Sequence, residues 1–157
     1  MNKSDSYRWT IGRIKKKVKD HINTIATLAN TAAILKEGFE NYFWVGFYFF
    51  RGNYLLLGPF QGPPACVKLL LDNGVCSDCA NERKTIIVDD VHEYPGHVAC
   101  DSRSNSEIVV PIYNHKKKLM AVLDIDSINF SDFDETDREN LLVIADLLKN
   151  IWDQQDS

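Results

Sequence analysis

Two apolar stretches flank a lysine-rich turn, and each carries carboxylates where a strand should be neutral. Glu107 opens the first, Glu107 to Tyr113. Asp124 and Asp126 close the second, Lys118 to Asp126. Both alternate with period two, so they pair as a hairpin about Asn114-His115-Lys116. Within the second, Asp124 and Asp126 share a face with Met120 and Val122, and Leu119, Ala121, Leu123 and Ile125 take the other. Acidic residues are normally kept out of strands that alternate into a core. Three beside two buried strands, with Cys100 in the polar loop just before them, point to a reactive pocket. The competing reading is that each carboxylate reaches solvent or caps a loop.

The rest of the chain supplies what such a hairpin packs against. Residues 1 to 8 are polar and are expected to fray. From Trp9, apolar residues recur at Ile11, Ile14, Val18, Ile22, Ile25, Leu28, Ala32 and Leu35, which predicts one long helix over 9–37, capped near Gly38. Tyr42 to Phe50 reads as a strand, turned at Gly52-Asn53 into a return strand Tyr54 to Leu57. Gly58-Pro59-Phe60-Gln61-Gly62-Pro63-Pro64 predicts irregular backbone. Ala65 to Leu71 reads as a strand, Val75 to Arg83 as a short helix and Thr85 to Val88 as a strand. A long loop, 89–105, contains Cys100. A last helix begins near Asp132-Phe133-Asp134-Glu135 with a capping-box-like spacing and shows an apolar face through Trp152. The expected fold is α+β: an antiparallel sheet with the long N-terminal and C-terminal helices packed on one face.

At 157 residues, one domain spanning 1–157 is expected, large enough for a real core. A formal net charge of -4 gives no reason to expect nucleic acid, and Lys15-Lys16-Lys17 and Lys116-Lys117-Lys118 read as solvated. No apolar run approaches the ~20 residues of a membrane span and no signal peptide is seen, so the expected setting is cytoplasmic, without membrane association. Four cysteines in a reducing compartment suggest catalytic, metal-binding or inert thiols before structural disulfides. Cys76-Ser77-Asp78-Cys79 has the C-x-x-C spacing of redox and zinc sites; His97 and Cys100 would have to complete a zinc set. On strand Tyr42 to Phe50, Trp44, Gly46 and Tyr48 share a face. Two aromatics around a missing side chain suggest a ligand slot, or simply close core packing.

Several motifs then occur in order: Asn41-Tyr42-Phe43-Trp44-Val45-Gly46-Phe47-Tyr48, Leu57-Gly58-Pro59-Phe60-Gln61-Gly62, Pro64-Ala65-Cys66, Gly74-Val75-Cys76, Asp90-Val91-His92, Pro95-Gly96-His97-Val98-Ala99-Cys100-Asp101, Ser106-Glu107-Ile108-Val109-Val110-Pro111 and Leu123-Asp124-Ile125-Asp126-Ser127. The ordered set, over about residues 20 to 150, closely resembles the free methionine-(R)-sulfoxide reductase family, which has a GAF-type fold. The resemblance implies that Cys100 is the nucleophile, Cys66 the principal resolving thiol and Cys76 an auxiliary. It implies that Trp44, Tyr48, Glu107, Asp124 and Asp126 line the substrate pocket, and that the chain forms a homodimer. The chain departs from the family after Cys76, where Gly-Thr-Ala is usual and Ser77-Asp78-Cys79 stands; Cys79 is an extra thiol.

The residue types suit that chemistry. Sulfoxide reduction needs a thiolate and an acid together, here Cys100 with Glu107 or Asp126. Three neighbouring carboxylates cannot all ionise cheaply, so one should keep its proton. Cys100 would be left as a sulfenic acid, condense with Cys66 to a disulfide, and be restored by an external thioredoxin-type reductant. Neither a metal nor an organic cofactor is expected. The alternative is a non-catalytic GAF-type small-ligand or redox sensor.

Overall fold

The structure, a computed structural model, describes residues 1–97 and 100–153. Val98 and Ala99, inside one of the motifs above, lie outside the described residues. Instead of one long helix, two form: α1 (Lys3–Lys19) and α2 (Thr24–Gly38). Residues 3–8, expected to fray, make the first turns of α1, because Asn2 caps it by accepting from Asp5 N at 2.8 Å. The break at Asp20–Asn23 has a similar cause. Asn23 turns its side chain to Ala26 N at 3.0 Å and starts α2 afresh, leaving Ile22 in the link at 92% exposure.

Strands β1 (Tyr42–Phe50), β2 (Tyr54–Gln61), β3 (Lys68–Leu70), β4 (Ile86–Val88), β5 (Ser106–Tyr113) and β6 (Leu119–Ser127) form, among the described residues, one antiparallel sheet in the order β3-β2-β1-β6-β5-β4. β2 continues through Gly58-Pro59, where irregular backbone was expected. The register jumps there from Tyr48↔Leu57 to Gly46↔Phe60, so Gly58 and Pro59 together oppose Phe47. That bulge absorbs a residue with no N–H to give. The return strand therefore reaches Gln61, and the strand expected over 65–71 shortens to β3.

Alternation divides the sheet into two faces. Val45, Phe47, Phe49, Ile108, Val110, Ile112, Ala121, Leu123 and Ile125 face α2 and α4 (Glu135–Leu147), with α1 packed across both helices. Asp134 caps α4 in a full capping box with Asp137. Asp137, fully buried, also accepts from Tyr7 OH at 2.5 Å and Tyr42 OH at 3.1 Å and pairs with Lys3 Nζ at 2.7 Å, tying α1 to α4 and β1. The opposite face carries Trp44, Tyr48, Val109 and Val122 against the short helix α3 (Val75–Glu82). It is this thinner second layer that opens into a cleft. Among the described residues, no helix is long and apolar enough to cross a membrane.

Candidate active site

The sheet register builds the floor of the cleft. β6 lies between β1 and β5, so Asp126 stands between Trp44 and Glu107, and Asp124 between Gly46 and Val109. The three carboxyls therefore share one patch of the α3-side face. Glu107 and Asp124 are buried, and Asp126 is half-buried. Burial first, and then the neighbouring Asp124 and Asp126 charges, push the Glu107 carboxyl well above the usual carboxylate range. Asp126 is pushed the same way, by burial and then Asp124. Asp124 is raised by burial, with Glu107 and Cys76 as the opposing hydrogen-bonding partners. Asp124 Oδ1 has no hydrogen-bond partner among the described residues. The patch is thus proton-holding and short of cations.

The walls are aromatic, but Gly46 does not leave an open slot. A Cβ there would meet Phe60 Cβ at 2.4 Å and the Trp44 ring at 2.5 Å. The Trp44 indole and Phe60 occupy that space, so of the two readings of Gly46 it is close packing that the structure shows. Trp44 stacks on Phe60 at 5.3 Å and on Tyr48 at 5.9 Å. Both aromatics also hold the chain beyond β2: Trp44 Nε1 donates to Pro63 O and Tyr48 OH to Cys66 O, each at 3.1 Å. Gly62, at φ +133°, lets this turn press on Trp44.

Cys66 and Cys100 form a disulfide, S–S 2.03 Å, with Cα atoms 5.7 Å apart. The bond joins the 62–67 turn to the loop before β5. That loop is pinned at its base, where Val91 N donates to Asn105 O and Asn105 N to Ser127 O. Its other support is Tyr94 OH, which donates to Asp78 on α3. Cys100 is exposed at the rim and Cys66 is half-buried. Cys76 and Cys79 are free and buried, and do not pair with each other. Cys76 lines the cleft; Cys79 packs inward behind it. Burial pushes both thiols up, and the carboxylates raise Cys76 further.

The cleft measures about 300 Å³, and Trp44, Tyr48, Cys76, Cys100, Glu107, Asp124 and Asp126 all line it. Cys66 reaches it through the disulfide. His97, considered from the sequence only as a fourth zinc ligand, lines the cleft with Nε2 4.0 Å from Glu107 Oε1. Burial, and then the His92 charge, lower its basicity. Ser104 was also missed; its Oγ lies 3.4 Å from Asp126 Oδ1. The available signal was position, since both residues flank Cys100 in the same loop.

Known proteins resemble this chain over nearly its full length. Residues 23–153 match the GAF domain family. The free methionine-R-sulfoxide reductase of Escherichia coli is 38% identical over 96% of this chain and 91% of its own length. This chain belongs to the free methionine-R-sulfoxide reductase family of GAF domains. Within that family, the Neisseria meningitidis enzyme in complex with its substrate superposes with a TM-score of 0.90. It is 43% identical, with 95% of this chain and 89% of that one covered. A Dictyostelium discoideum relative described as GAF domain-containing protein A is 45% identical over 95% of this chain and 94% of its own.

Proposed function

We propose that the chain reduces free methionine-(R)-sulfoxide to methionine. The observation that carries this reading is the Cys66–Cys100 disulfide at the rim of a cleft floored by three crowded carboxyls, whose burial favours keeping a proton among them. In the reduced chain, the Cys100 thiolate attacks the sulfoxide sulfur. Glu107, kept protonated by burial, donates to the sulfoxide oxygen, with Asp126 beside it to share the proton. Trp44 and Tyr48 hold the methyl end and face the cationic character on sulfur. The hydroxyl passes from the substrate sulfur to Cys100 Sγ as the bond between the two sulfurs breaks; methionine departs and Cys100 is left as a sulfenic acid. Attack by Cys66 then expels water and forms the disulfide. A thioredoxin-type dithiol returns both thiols by exchange, becoming oxidised itself. Every step uses thiols and carboxyls, with no metal or organic cofactor. Cys76 is buried against carboxylates and serves recycling only as an auxiliary.

Selection of the free amino acid follows from charge. The unpartnered Asp124 oxygen and the neighbouring carboxyls match a substrate ammonium, which a residue inside a peptide lacks. Leaving such a buried carboxyl unpaired costs roughly 1–3 kcal/mol. The test is turnover of free methionine-(R)-sulfoxide, its N-acetyl form and a short peptide, each with dithiothreitol. The expected result is turnover of the free amino acid, with efficiency falling at least about tenfold for the other two. Equal efficiency on all three contradicts the ammonium pairing; absence of turnover contradicts the activity.

A further inference from the structure

The cleft floor contains a donor that a substrate ammonium does not use. Cys76 Sγ, one Glu107 oxygen and one Asp124 oxygen all lie within 4.8 Å of one another, and all three side chains are buried. They come from three rigid elements: the first turn of α3, the start of β5 and the end of β6. Asp124 Oδ1 has no hydrogen-bond partner among the described residues. His97, at 4.0 Å from Glu107, is there the one basic side chain in ion-pair range of the three carboxyls. An ammonium pairs with oxygens and gains little from a thiol. A sulfur at the corner of two carboxylates is instead the donor set of a thiophilic divalent cation, and a poor one for Mg²⁺ or Ca²⁺.

We propose that Cys76, Glu107 and Asp124 bind a thiophilic divalent cation such as Zn²⁺, and that this cation and the substrate exclude each other. The second half rests on the ammonium pairing proposed above; the first half does not. A tetrahedral Zn²⁺ with about 2.3 Å to sulfur and about 2.1 Å to oxygen sets its donors roughly 3.4–3.6 Å apart. The trio, whose donor atoms now lie within 4.8 Å of one another, would have to draw together to reach that spacing. Three protein donors leave one position of a tetrahedral ion for a further ligand. Binding releases the Cys76 proton, and any carboxyl proton, to solvent, with no change of oxidation state. The cation would be an inhibitor, covering the carboxyls that donate the proton and hold the ammonium.

The disulfide form isolates the question, because Cys66 and Cys100 are tied up and Cys76 and Cys79 remain as free thiols. Co²⁺ is the probe, since thiolate ligation gives a charge-transfer band. The expected titration saturates at one Co²⁺ per chain, with a band that Zn²⁺ abolishes and excess Mg²⁺ does not. Cys76→Ser loses the band and Cys79→Ser keeps it. Asp124→Asn, which leaves the thiol in place, weakens binding at least about tenfold. No band, a band that follows Cys79, or unchanged affinity in Asp124→Asn overturns the site. Free methionine, as the ammonium-bearing product, should shift the Co²⁺ titration to higher metal; no shift overturns the mutual exclusion. A chain that fails to turn over sulfoxide yet shows the Cys76-dependent band refutes the reductase reading and leaves the metal site standing.

Discussion

The Tyr48 hydroxyl donates to the carbonyl of Cys66 at 3.1 Å, so a wall of the cleft fixes the backbone of a disulfide cysteine. With Trp44 Nε1 on Pro63 O, it fixes the 62–67 turn from below. The aromatic pair thus supports the disulfide segment as well as the cleft. Tyr48→Phe keeps the ring and removes the donor. Stability should drop by about 1 kcal/mol in chemical denaturation. Closure of the Cys66–Cys100 disulfide after one turnover should slow several-fold, while methionine release stays near wild type. Equal slowing of both steps would show that the hydroxyl serves the substrate instead.

Gly46 tests the packing of the aromatic wall. An added methyl has Phe60 Cβ at 2.4 Å and the Trp44 ring at 2.5 Å, and the two rings are stacked on each other at 5.3 Å. Gly46→Ala should destabilise the fold by about 1–3 kcal/mol and displace Trp44. The midpoint of urea denaturation and the tryptophan emission read the two effects. A variant as stable as wild type would mean that Trp44 has room that the structure does not give it.

The carboxyl patch predicts a stability that falls with pH. Unfolded, a glutamate titrates near about 4.3. Folded, Glu107 holds its proton to higher pH. Stability from this group is present in full below the unfolded value and is lost as pH rises through the folded one. Asp124 and Asp126 add to the same slope. Glu107→Gln has no proton to lose, so its denaturation midpoint should fall less than that of wild type between about pH 5 and about pH 8. Its turnover should fall by about 10²–10⁴ if Glu107 is the acid. Identical pH slopes contradict the buried-acid account.

Much of this was legible in the sequence, and for physical reasons. Period-two alternation predicts β1, β5 and β6 within a residue, and it puts Trp44 with Tyr48, and Asp124 with Asp126, on one face of their own strands; that both faces turn to the cleft is set by the sheet register. The helix break was not legible, because Asp20–Asn23 holds neither glycine nor proline and the apolar spacing runs through it. Pro59 read as a strand breaker because a bulge depends on the partner strand. Gly46 read either as a slot or as close core packing, and only the fold decides for packing, because which ring fills a gap is a tertiary fact. The second layer, α3 over the cleft, had too short a pattern to be placed. The pairing of Cys66 with Cys100 came from family resemblance; 34 residues of separation carry no local signal.

The claim that Cys100 attacks and Cys66 resolves is tested most directly by trapping the sulfenic acid. Reduced Cys66→Ser is given excess free methionine-(R)-sulfoxide together with dimedone, and the chain is then mapped by mass spectrometry. The account predicts one methionine released per chain and a single dimedone adduct, on Cys100. An adduct on Cys76 or Cys79, or methionine release without any adduct on Cys100, would contradict it.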